Sequence, residues 1–182
     1  MARLWTTLGL LAASAGAKRQ TSSTSVVYYS NDDGLITASP SSNGDIVSTV
    51  FPGDGKISYL AFDGSDEMYF TDRSYNTLSK MAIAGGKAEA TVIHDGFEEP
   101  HDFVLASNGD SVTHVYVADK LANAVVRGDV ANMTGATAIV KDLDGPVGVA
   151  TDGEYLYVAE NSVGINHWSK PAWDIFKPLY LA

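Results

Sequence analysis

One five-residue phrase, a short strand carrying a tyrosine and closed by an acid, is written several times along this chain and constrains the fold more than any other feature. It reads Met68-Tyr69-Phe70-Thr71-Asp72, then Val115-Tyr116-Val117-Ala118-Asp119, then Leu156-Tyr157-Val158-Ala159-Glu160, with a looser copy at Val27-Tyr28-Tyr29-Ser30-Asn31. The tyrosines Tyr28, Tyr69, Tyr116 and Tyr157 lie 41, 47 and 41 residues apart. A unit of short strands cannot bury both of its faces alone, so copies at a period of about 40–50 residues stack on one another. The expected fold is therefore all-β, a β-propeller of four-stranded blades. About three to four blades are present, which makes the propeller partial or open.

The punctuation between the phrases places the other strands. The first unit offers Val26 to Ser30, Leu35 to Ala38 and Ile46 to Phe51, and it lacks an innermost strand of its own. The second is complete: Ile57 to Phe62, Glu67 to Thr71, Thr77 to Ala84 and, after the hairpin signal Gly85-Gly86, Ala88 to His94. The third repeats that order with Pro100 to Ala106, Thr113 to Ala118, Ala124 to Asp129 and Ala136 to Val140. The fourth runs through Pro146 to Thr151, Tyr155 to Ala159 and Gly164 to Trp168, where the pattern stops. In such a blade both faces are covered by neighbours, so Tyr69, Tyr116 and Tyr157 are expected in the core. Asp72, Asp119 and Glu160 recur in every unit, which favours a turn-capping role over an acidic binding ring.

The ends of the chain read differently. Arg3, the apolar run from Leu4 to Ala13 and the small-residue site Ala15-Gly16-Ala17 form the three parts of a secretory signal peptide over residues 1–17. Lys18-Arg19 then offers a dibasic processing site. Residues 18–25 read as a disordered Ser/Thr-rich leader, 26–170 as blades, and 171–182 as an irregular aromatic tail. The expected location is outside the cell or in the lumen of the secretory pathway. No stretch approaches the roughly 20 apolar residues of a membrane span once the signal is removed. The absence of cysteine excludes a disulfide framework, a catalytic thiol and any cysteine-based zinc site. Asn132-Met133-Thr134 is the single glycosylation sequon, with Asn132 the candidate acceptor. A net charge of −10 argues against nucleic acid and against anionic lipid as partners.

Tyr69-Phe70-Thr71-Asp72 resembles the YWTD motif of low-density-lipoprotein-receptor-type propellers. Tyr116-Val117-Ala118-Asp119 and Tyr157-Val158-Ala159-Glu160-Asn161 are similar to NHL repeats and to the gluconolactonase-like superfamily. The resemblance covers roughly Val26 to Trp168 and implies a six-bladed ring, of which this chain is an incomplete copy. It also implies that the repeated tyrosines and acids are scaffold residues. The families it points to include receptor and interaction modules, peptidyl-hydroxyglycine lyases and metal-dependent lactonases. A fragment of a larger propeller is the favoured expectation, and a homodimer closing the ring is the other.

In a propeller the first strand of each blade lines the central channel. The residues in that place are Ser58 and Tyr59, His101 and Asp102, and Val147 and Gly148. The adjacent His101 and Asp102 are the polar departure, and they are candidates for a metal ligand or a general base. Glu98 and Glu99 precede them and would suit a hard cation such as Ca²⁺ or another divalent ion. His101, Asp102, Tyr59 and Glu99 are the candidate binding residues, and no catalytic set is identified. Two readings of function stay open. The leading one is a secreted, non-enzymatic module that binds an extracellular protein or a small molecule. The other is a metal-dependent hydrolase or lyase of the gluconolactonase or peptidyl-hydroxyglycine-lyase type, with its site in the channel.

Overall fold

The computed structural model describes residues 27–31, 34–38, 46–52, 55–64, 66–82, 89–108, 111–161 and 164–169. The expected signal peptide, leader, C-terminal tail and Gly85-Gly86 hairpin lie outside them. Among the described residues the chain is entirely strands and turns, in four antiparallel meanders. The first holds β1 (Val27–Asn31), β2 (Gly34–Ala38) and β3 (Ile46–Pro52). The second holds β4 (Ile57–Phe62), β5 (Glu67–Asp72), β6 (Thr77–Ala82) and β7 (Thr91–His94). The third holds β8 (Pro100–Asn108), β9 (Ser111–Asp119), β10 (Ala124–Asp129) and β11 (Thr137–Val140). The fourth holds β12 (Pro146–Thr151), β13 (Tyr155–Glu160) and β14 (Gly164–Ser169).

Strand order within each sheet follows the chain, and the phrase occupies β5, β9 and β13, second from the inner edge. The inner strands β4, β8 and β12 lie side by side, and β1 lies against β4. This is a partial β-propeller. β1 carries the loose copy of the phrase and has no strand on its inner side among the described residues, as expected for a first blade without an innermost strand.

Alternation along the phrase feeds two interfaces at once, because neighbouring side chains of a strand leave on opposite faces. On β5, Met68 and Phe70 pack toward the first blade with Tyr28, Ile57 and Phe62, while Tyr69 turns the other way to meet Phe97, Phe103 and Val115. On β9, Val115 and Val117 face the second blade, and Tyr116 and Ala118 face the fourth with Val149, Leu156 and Val158. Tyr69 is 3% exposed and Tyr116 7% exposed. Tyr157 departs from the expectation of a core tyrosine. Leu156 and Val158 of β13 fill the interface with the third blade, so Tyr157 faces away from it. Among the described residues no sheet lies on that side, and the ring stays partly exposed, its Oη donating to Asp152 Oδ2 at 2.8 Å.

Each inner strand also carries a bulge at its start. Ile57 pairs with Asp72 and Tyr59 with Thr71, leaving Ser58 as the extra residue. Pro100 pairs with Asp119 and Phe103 with Val117, so His101 and Asp102 fall within the irregularity. Pro146 pairs with Glu160 and Gly148 with Ala159, leaving Val147 extra. A bulge bends its strand and re-aims a side chain without altering the rest of the ladder.

Candidate functional site

The bulges are held by the acid that closes each phrase. Asp72 Oδ1 accepts the backbone N–H groups of Lys56 at 3.2 Å, Ser74 at 2.8 Å and Tyr75 at 3.3 Å. Gly55 is required there, because a Cβ would fall 1.8 Å from Asp72 Oδ2. Asp119 accepts Glu98 N at 2.9 Å and Glu99 N at 2.8 Å through separate oxygens, and Glu160 accepts Asp144 N. All three carboxylates thus clamp the segment entering the inner strand of their own blade, and Asp72 and Asp119 are buried. The next residue completes the clamp with its backbone: Arg73 N donates to Lys56 O at 3.0 Å, Lys120 N to Glu99 O at 3.0 Å, and Asn161 N to Gly145 O at 3.2 Å. Asn76 and Asn123, four residues after the acid, close the turns in the left-handed region at φ 57° and 52°, a conformation that asparagine tolerates better than most residues.

Hydroxyls on the phrase strands β1 and β5, and one carboxylate on the inner strand β8, tie each blade to the inner strand of the next. Ser30 Oγ donates to Ile57 O at 3.2 Å, and Thr71 Oγ1, in the same position of its phrase, donates to His101 O at 2.5 Å. The third phrase has Ala118 there, which has no donor. At that junction Asp102 spans the gap instead, accepting Val149 N at 3.0 Å on Oδ2 while Oδ1 accepts Phe103 N at 2.8 Å. Gly148 leaves the room, since a Cβ on it would lie 3.2 Å from Ala159 Cβ and 3.7 Å from Asp102 Oδ2.

His101 and Asp102 are neighbours in sequence but their side chains take different partners. The His101 ring reaches Glu99, with Nε2 3.3 Å from Oε1. Glu99 also faces Arg73 Nη1 at 3.8 Å and Lys120 Nζ at 3.6 Å. Burial pushes the His101 pKa down, only partly offset by its hydrogen bond to Glu99. Burial pushes Glu99 up, but His101, Lys120 and Arg73 together outweigh it and hold the carboxyl below its usual range. Tyr59 packs edge-on against Phe103 with ring centroids 5.4 Å apart, yet stays 37% exposed. The site thus gathers Glu99 and His101 with Arg73 and Lys120, while Asp102 bonds to the fourth blade, and burial followed by the Asp102 charge raises the pKa of Tyr59. Arg73 and Lys120 were not foreseen, although their shared place after the repeated acid was a signal. The remaining candidate, Asn132, lies exposed on the β10–β11 turn, its Oδ1 accepting Thr134 N at 3.0 Å.

As a metal centre this set fits poorly. Among the described residues no three His, Asp or Glu side chains converge, and the Glu99–His101 pair is flanked by two cations that would repel a third. His94 stacks edge-on against Phe97 at 4.6 Å, and His114 Nδ1 lies 2.9 Å from Thr113 Oγ1, both away from this pair.

Asp102 carries a pH signature. Burial raises its pKa from 3.8 to about 6, against the two N–H bonds that lower it. The folded chain then holds the proton more tightly than the unfolded one. The stabilisation is complete below the unfolded pKa and is lost as pH rises through about 6. It amounts to on the order of 3 kcal/mol in all, with about 1 kcal/mol falling between pH 7.5 and 5.5. His101, with its pKa lowered, works in the opposite direction in that window. Urea unfolding at the two pH values should therefore show a gain on acidification about 1 kcal/mol larger in wild type than in Asp102→Ala. Equal gains in the two proteins would place the dependence elsewhere.

No protein-family model matches the sequence, and no curated protein matches it. Solved structures do match. A chain of the nidogen/laminin complex shares 18% identity at a TM-score of 0.63, over 79% of this chain and 57% of that one. An auxiliary nutrient-binding protein from Bacteroides ovatus shares 10% identity at a TM-score of 0.66, over 86% of this chain and 46% of that one. The calcium-binding protein regucalcin from Agrobacterium tumefaciens shares 19% identity at a TM-score of 0.58, over 81% and 54%. The matched structures are propellers. This chain has a β-propeller fold. The propeller described here spans about half the length of the solved structures it matches. At these identities the likeness is one of fold, and function rests on the site.

Proposed function

We propose that this chain is a secreted β-propeller binding module whose ligand, an extracellular protein or a small molecule, docks at the mouth formed by the starts of β4, β8 and β12. One observation carries the reading: the titratable groups of the mouth are committed to each other and to backbone. Asp102 is engaged by Val149 and Phe103, His101 by Glu99, and Asp119 by Glu98 and Glu99. What faces outward is the Tyr59 ring and the flanking cations, which suits recognition better than bond cleavage. The matched nidogen/laminin complex is a protein assembly, and the matched Bacteroides protein is named for nutrient binding, both in keeping with this reading. The apolar leader over residues 1–17 and the exposed Asn132 support a secretory route with glycosylation at that residue. The open inner side of β1 and the free side of β14 among the described residues are the edges on which one further strand, from elsewhere in the protein or from a second copy, would complete each three-stranded blade.

The test is binding of the secreted chain to a panel of extracellular proteins, laminin among them, and to a small-molecule library. Saturable binding to a panel member, unchanged by chelator and weakened about tenfold by Tyr59→Ala, is expected. Calcium-dependent hydrolysis of a lactone, lost in His101→Ala, would overturn this reading in favour of the enzyme.

A further inference from the structure

The mouth carries a second pattern, in its charges. Arg73 and Lys120 occupy the same place in successive blades, directly after the repeated acid, and their backbones are clamped alike to Lys56 O and Glu99 O. The clamp brings two cations from neighbouring blades to one carboxylate, Glu99, which His101 approaches from β8. Both cations stand back from it, at 3.8 Å and 3.6 Å, beyond hydrogen-bond reach. Their donors are therefore unspent, and Arg73 Nε is buried without a partner among the described residues. The acids nearest by, Asp72 and Asp119, are already engaged by several backbone N–H groups. In the fourth blade the corresponding positions are Asn161 and Gly145, so the arrangement belongs to the junction of the second and third blades alone. In a chain of net charge −10, two cations from neighbouring blades converge here on a single carboxylate.

We propose that Arg73, Lys120 and His101 form a cradle for a carboxylate group of the ligand, and that Glu99 is a built-in competitor occupying that cradle when the ligand is absent. The inference rests on the reading of the chain as a binding module and names the chemistry its mouth selects. A guanidinium presents paired N–H donors that match the two oxygens of a carboxylate, and Lys120 adds a mobile point charge. The present occupant, a carboxylate, shows the size and charge the cradle accepts. Removing its charge takes away the anion that the two cations now face, so affinity for an external carboxylate rises.

The decisive experiment is calorimetric titration of the secreted chain with succinate at low salt, with inorganic phosphate as the second probe. Each variant is checked by its melting curve. Wild type should bind succinate weakly, and Glu99→Gln should bind it about tenfold more tightly. Adding Arg73→Ala and Lys120→Ala to that variant should weaken binding at least tenfold. Unchanged or weaker binding by Glu99→Gln, or binding indifferent to loss of both cations, overturns the cradle. Phosphate bound as tightly as succinate overturns its assignment to carboxylates. A panel ligand that binds wild type and the Arg73→Ala, Lys120→Ala variant alike removes the cradle and leaves the binding module standing. A panel in which nothing binds removes the module, and the proposal with it.

Discussion

Replacing Tyr116 by alanine should lower the unfolding free energy by about 3–5 kcal/mol, the range for truncating a large buried aromatic. The ring fills the interface between the third and fourth blades, against Val149, Leu156 and Val158. Neighbouring blades cannot close the void without sliding past each other, because their inner strands are also tied by Asp102 and Val149. Tyr157→Ala, the same change in the same phrase one blade later, should cost far less, since that ring faces outward among the described residues. Urea unfolding of the two variants side by side checks this. Equal losses would mean that Tyr157 is covered in solution by something beyond the four described sheets.

The second large effect is expected at Asp119. This carboxylate is 2% exposed and accepts Glu98 N and Glu99 N on separate oxygens. Asp119→Asn keeps the shape but turns an amide NH₂ toward one of those donors. It should destabilise by about 3 kcal/mol, the combined effect of one charge-assisted bond lost and one buried N–H left unpaired. Asp129→Asn is the internal control. Its carboxylate also accepts a backbone N–H, from Ala131 at 2.8 Å, but at an exposed turn where water replaces the bond. If the two variants melt together, the repeated acid is not the clamp described here.

Much of the scaffold was legible because period and punctuation agree. Ile57 to Phe62 and Pro146 to Thr151 end where their strands do, since Asp63-Gly64 and Asp152-Gly153 turn the chain after them, and Pro146 marks where the second begins. Tyr157 shows where a repeat misleads. Identical sequence positions are buried only if a neighbour exists on the proper side, and that is a property of the array rather than of the phrase. The site was half legible. His101, Asp102, Tyr59 and Glu99 stand out as polar or aromatic residues on inner strands, but adjacency in sequence suggested that His101 and Asp102 act together. The irregular pairing between Pro100 and Phe103 gives them separate surroundings, and no composition or spacing rule reveals that. Arg73 and Lys120 looked like ordinary turn residues, because their meeting at Glu99 depends on the packing of one blade against the next.

The bulge at the head of each inner strand separates two kinds of sequence constraint. Residues within the ladder answer to both neighbouring blades, so few replacements are tolerated there. Ser58, Val147 and the pair His101 and Asp102 sit where pairing is interrupted. A serine, a valine and a histidine occupy that place without any change of strand order in the blades. The mouth of this propeller is in effect a set of sockets, one per blade, whose contents can be exchanged while the walls stay as they are, and that is how one scaffold would come to serve unrelated ligands.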